Sequence, residues 1–136
     1  MAKSNAFKIA ELIRVFQYNT STDEIETEKS TKDKNKKRGD STTTATTEFS
    51  LDTFAKADFR AARYVVAMSK GSDFHSTEIM LVHDGSAVTL TQYGTLKSSA
   101  LATFDADISG SDLRLRCTPA SATSTTIKFE RVVVDA

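Results

Sequence analysis

The stretch Thr77-Glu78-Ile79-Met80-Leu81-Val82-His83-Asp84-Gly85-Ser86-Ala87-Val88-Thr89-Leu90-Thr91-Gln92 decides the fold. Two runs rich in β-branched and aliphatic residues flank an Asp-Gly pair. Asp-Gly is favoured in type I′ turns, whose twist matches that of the strands they join. A two-residue loop predicts His83 opposite Ser86, Leu81 opposite Val88, Ile79 opposite Leu90 and Thr77 opposite Gln92. This face has an aliphatic middle and is the expected core face. Val82 with Ala87, Met80 with Thr89, Glu78 with Thr91 and Ser76 with Tyr93 form the other. Gly85 is expected at positive φ.

The same alternation continues on both sides. Strands are expected at 48–54, 60–69, 74–83, 86–93, 101–108, 112–118 and 125–134, with Gly71, Asp84-Gly85, Gly94, Gly110 and Pro119 between them. Short strands at even spacing predict an all-β chain, an antiparallel β-sandwich of jelly-roll type. Tyr64, Val66 and Met68 share a face, as do Phe104, Ala106 and Ile108, and Ile127, Phe129, Arg131 and Val133. Leu113, Leu115 and Cys117 oppose Arg114, Arg116 and Thr118. Cys117 thus reads as a small buried hydrophobe. Ile79, Leu81, Phe104, Leu115 and Phe129 are the expected core.

Composition agrees. The 136 residues suit one domain, and 19 Thr plus 15 Ser make one residue in four, a bias towards pleated strands. Eighteen basic and 18 acidic residues cancel, which excludes a wholly basic nucleic-acid footprint. One cysteine excludes an intrachain disulfide. No apolar run is long enough to span a membrane, and Lys8, Glu11 and Arg14 interrupt any signal-peptide core. The expected organisation is a single domain, 1–136. Residues 1–27 form an N-terminal segment with a short helical turn leading into a strand near 12–18. Residues 28–47 form a polar basic loop, and 48–136 the sandwich body. From 28 to 44 no large apolar side chain occurs, so this loop is expected to be mobile in the free chain.

No phosphate-cradling glycine loop, nucleophile elbow or metalloprotease helix motif is present, and an enzyme is not expected. No cofactor is implied. His75 and His83, eight apart on one strand, would stand about 26 Å apart, too far to share a metal. Asp105, Asp107, Ser109 and Gly110 match the start of a calcium loop, but its twelfth position is Arg116 where a glutamate is required. No metal site is therefore expected. The candidate partner-binding residues are Lys29, Lys32, Lys34, Lys36, Lys37 and Arg38. Their charges could clamp an acidic protein surface. Lacking interleaved aromatics, they do not point to nucleic acid.

The landmarks Tyr64-Val65-Val66, Glu78 to Gly85, Tyr93-Gly94-Thr95, Ala102 to Gly110 and Ser124 to Lys128 together resemble small β-rich virion structural proteins of tailed phages, in particular those of marine cyanobacteria. The resemblance runs roughly from Phe59 to Val134. Asn5-Ala6-Phe7-Lys8 and Glu11-Leu12 are similar to the start of such proteins, whereas the Lys-rich run departs from them. The resemblance implies a virion component, made in the host cytoplasm. Its expected partners are the major capsid protein or other virion proteins, with homo-oligomeric contacts. A capsid decoration or cement subunit gripping neighbouring coat subunits is the first expectation. A tail, baseplate or fibre adaptor is the second, and a carbohydrate-binding sandwich the third. Aromatics at 8% with no Trp disfavour the last.

Overall fold

The computed structural model describes residues 35–136. The expectations for 1–27, and for Lys29, Lys32 and Lys34, lie outside the described residues. Among the described residues the chain forms eight strands: β1 (Lys36–Thr43), β2 (Phe49–Ala55), β3 (Phe59–Lys70), β4 (Asp73–His83), β5 (Val88–Lys97), β6 (Ala102–Ser109), β7 (Asp112–Pro119) and β8 (Thr125–Asp135). They make two antiparallel sheets, ordered β1-β8-β3-β4-β5 and β2-β7-β6. The all-β sandwich read from the alternation is thus present. Placing β1-β8-β3 in one sheet and β2-β7 in the other interleaves chain ends and middle as a jelly roll does. β3, β4 and β5 continue as a simple meander.

The core lies between the sheets. Tyr64, Val66, Ile79, Leu113, Leu115, Cys117 and Ile127 have no exposed surface. Ile79, Leu81, Leu115 and Phe129 are buried as the sequence predicts. Phe104 is not: it is only partly buried and packs against the rim of the cluster. It sits on β6, an edge strand of the smaller sheet, so one flank has no neighbour.

Residues 36–43, expected within the mobile basic loop, instead form β1, paired with β8 from Lys36↔Val132 to Thr43↔Thr125. The expectation weighed only side-chain burial. An edge strand also gains main-chain hydrogen bonds, which need no apolar residue. Gly39 adds a fitted contact: a Cβ there would run into the Phe129 ring, which covers the bare glycine.

The Asp84-Gly85 hairpin has its expected glycine, with φ 100°, but a different register. His83 pairs with Val88, Leu81 with Leu90 and Ile79 with Gln92. The loop is therefore four residues, 84–87, closed by the Asp84 N–H donating to the Ala87 carbonyl at 3.1 Å. Asp84 Oδ1 accepts the N–H groups of Ser86 (2.8 Å) and Ala87 (2.7 Å). These bonds, that from Ala87 foremost, hold its carboxyl down at about 2. This side-chain-to-backbone turn displaces the tighter one. The slip is two residues, an even number, so every side chain keeps its predicted face. Gly85→Val should cost about 1–3 kcal/mol in a denaturant melt, from backbone strain alone. No atom lies within 4 Å of a Cβ there. An unchanged midpoint would show that the loop relaxes.

Candidate interaction surface

Inward positions on the large sheet are the even residues of β3 from Ala62 onward and the odd residues of β4 and β8. The outward positions are not the usual polar set. Among the described residues the exposed large hydrophobics are Val65, Phe74, Met80, Val82, Tyr93, Leu96, Val132 and Val134. Strand register places all eight on this one outward face. Val134, Ala61 and Val82 form one cross-strand row; Val132, Arg63 and Met80 form the next. Leu96 and Val134 are the most exposed, at 72% and 63%.

A charged stripe crosses the same face. Arg63 donates to Glu78 Oε1 at 2.8 Å, and Arg38 pairs with Glu130 at 2.9 Å. The hydrogen bond between Arg63 and Glu78 raises the guanidinium pKa and lowers that of the carboxyl. Beside the stripe runs a shallow groove of about 530 Å³, lined by Val65, Ala67, Phe129 and the β1 and β8 side chains Arg38, Asp40, Lys128 and Glu130, with Gly39. The face therefore alternates apolar band, paired charges and groove.

The predicted basic cluster is divided by strand alternation. Lys36 and Arg38 stand on the outward side. Lys37, half-exposed, turns to the other and donates to Asp52 Oδ1 at 2.7 Å. Lys37 is thus already engaged within its own chain.

Asp52 is the residue the sequence reading missed. It is fully buried and accepts from Tyr64 Oη (2.9 Å), Arg131 (2.7 Å) and Lys37. Arg131 lies over the rings of Phe54 and Phe59, at 5.2 and 6.0 Å from their centroids. Burial, then the Asp52 charge, pushes the Tyr64 hydroxyl pKa well up, so it stays a donor. A register shift between Ser50 and Asp52 aims Asp52 inward: Phe49 opposes Cys117, yet Asp52 opposes Leu115. The cluster ties β2 of one sheet to β1, β3 and β8 of the other.

The remaining candidates are structural. Asp105 and Asp107 lie along the extended strand β6, and Asp107 takes two hydrogen bonds from Arg114, at 2.7 and 2.6 Å. Its carboxyl is held below the usual range by that arginine. Cys117 is buried, which pushes its thiol up to about 12. His83 Nε2 meets the Phe59 carbonyl at 2.7 Å. Among the described residues no three His, Cys, Asp or Glu side chains gather where they could hold a metal.

His75 is buried, and its Nδ1 accepts the Leu101 N–H at 3.2 Å. Burial, with Lys97 opposite, lowers its pKa from the ordinary 6.5. The unfolded chain then binds a proton near pH 6.5 that the folded chain refuses. Stability is full above that pH and falls as pH drops towards the lowered value, by at most about 1.4 kcal/mol per pH unit. Melts between pH 8 and 5 should show this loss, and His75→Asn should flatten it. An unchanged pH profile in the variant would assign the loss elsewhere.

No family model matches the sequence, and no curated protein matches it. Solved structures similar to it include the tailspike protein of Acinetobacter phage vB_ApiP_P1, with TM-score 0.43 and 17% identity over 74% of this chain and 21% of that one. The tailspike of Acinetobacter baumannii phage AM24 gives TM-score 0.35 and 10% identity over 75% and 27%. Tailspike gp49 of Acinetobacter baumannii bacteriophage Fri1, a capsular polysaccharide depolymerase, gives 0.33 and 14% over 71% and 17%. The chain thus spans between 17% and 27% of the length of these proteins.

Proposed function

We infer that this chain is a structural subunit of a tailed-phage particle and works by surface contact. The observation that carries the reading is the separation of roles between the faces of the large sheet. On the inward side, the buried Asp52 and Arg131 and the Tyr64 hydroxyl hold one another. On the outward side, eight large apolar side chains meet solvent. Monomeric proteins seldom leave a broad apolar face uncovered, and such faces mark protein contacts. The resemblance of residues 59–134 to small phage virion proteins gives the contact its setting. On the head, the subunit would act as decoration, with many weak contacts summed by multivalency. On the tail, it would act as an adaptor.

Quantitative mass spectrometry and immunogold labelling of purified particles test this. The chain should co-purify with the particle at fixed stoichiometry. Hundreds of copies would place it on the head, tens or fewer on the tail. Absence from washed particles would overturn the reading.

A further inference from the structure

We propose that the outward face of the β1-β8-β3-β4-β5 sheet is the contact between two copies of this chain. The proposal rests on reading that face as a contact surface, and it names the partner.

Size is the first argument. Five strands spaced about 4.8 Å apart give a width of about 24 Å. Strands of 8 to 12 residues, rising about 3.3 Å per residue, give a mean length of about 34 Å. One copy therefore presents about 820 Å², matching the about 800 Å² per partner of a stable interface.

Charge is the second. Lys36, Arg38, Arg63 and Lys128 stand outward against Asp40, Glu78 and Glu130, so four positive charges meet three negative. A nearly neutral face lets two identical copies approach without the repulsion that a one-signed face imposes. A strongly acidic or basic partner gains nothing from it.

Shape is the third. A two-fold contact needs a patch that complements itself. This face has a raised apolar band at Met80, Val82, Val132 and Val134, and a groove floored by Val65 and Ala67 one or two rows away. A two-fold axis lying in the interface between band and groove sets the band of each copy into the groove of the other. The small sheet offers no equivalent, because the exposed large hydrophobics of the described residues all lie on the large one.

Sedimentation equilibrium and light scattering of the full chain read the outcome. At about 100 μM the chain should have twice its 14.9 kDa mass. Met80→Glu combined with Val132→Glu should restore the single mass and raise the dissociation constant at least about tenfold. Both side chains are already half in water, so the fold should survive, as circular dichroism would show. A second readout does not depend on that variant. A pyrene label on Val65→Cys, which borders the two-fold axis, should give excimer emission that rises with concentration, the buried Cys117 being unreactive. The same label on Thr103→Cys, exposed on the small sheet, should not. A single-chain mass at this concentration, a dimer indifferent to the double substitution, or excimer from Thr103→Cys alone would overturn the proposal. Incorporation into particles as separate copies would overturn it too, and would leave the virion reading standing. A dimer found outside any particle would do the reverse.

Discussion

Asp52→Ala should remove about 3–5 kcal/mol of stability, the cost of leaving buried ionic partners uncompensated. Global stability of small domains is typically about 5–15 kcal/mol, so the variant should melt far below wild type. The loss arises because Arg131 is 7% exposed, stacked on two phenylalanine rings, and cannot turn to water. Tyr64 also loses the acceptor of its hydroxyl. Lys37→Ala should behave differently, at about 0.2–1 kcal/mol, because its side chain is 48% exposed and its charge is partly solvated already. Replacing Asp52 and Arg131 together by Leu and Met should recover much of the loss, since a buried ion pair gives little net stability over apolar residues of similar volume. Thermal melts of the four proteins decide this. An Asp52→Ala variant within 1 kcal/mol of wild type would mean that water reaches the site.

Leu115→Ala should cost about 2–5 kcal/mol, whereas Phe104→Ala should cost less than the about 3–5 kcal/mol of a fully buried phenylalanine. Leu115 has no exposed surface and lies on β7, flanked by β2 and β6. Its removal leaves a cavity that paired strands on both sides cannot collapse. Phe104 lies on β6, the free edge, where the ring is only partly buried and neighbours can shift. Urea denaturation with matched slopes reads both values. A larger loss for Phe104 would show that something covers the β6 edge in solution.

Much of the sandwich was legible because a strand shows its two faces in a period of two. Tyr64, Val66 and Met68, or Leu113, Leu115 and Cys117, are buried as their alternation demands. The alternation also survived an incorrect hairpin register, since a slip of two residues leaves the faces unchanged. It fails where the backbone adds a residue. Phe49 and Phe54 are five apart, so an unbroken strand would send them to opposite faces. The irregularity after Ser50 brings both to the core side and carries Asp52 with them. That odd spacing was the signal available in the chain. The outward face was missed for a related reason. In the sequence Met80 and Val82 read as the second side of a hairpin, and the apolar band appears only when β8 brings Val132 and Val134 alongside.

By itself, then, the amino-acid sequence determined the strands of residues 48–136, their inward faces outside the irregular β2, and the positive φ of Gly85. These are local matters, settled by periodicity and by the conformational freedom of single residues. The tertiary structure alone decided that residues 36–43 become a strand. Those residues bury almost nothing of their own, and their stability comes from the main chain of β8, nearly a hundred residues later. It also decided that Lys37 serves Asp52 and is not a free member of a basic cluster, because alternation on a paired strand turns it from Lys36 and Arg38. Pairing between such distant segments, closed by main-chain hydrogen bonds, leaves no pattern in the local sequence.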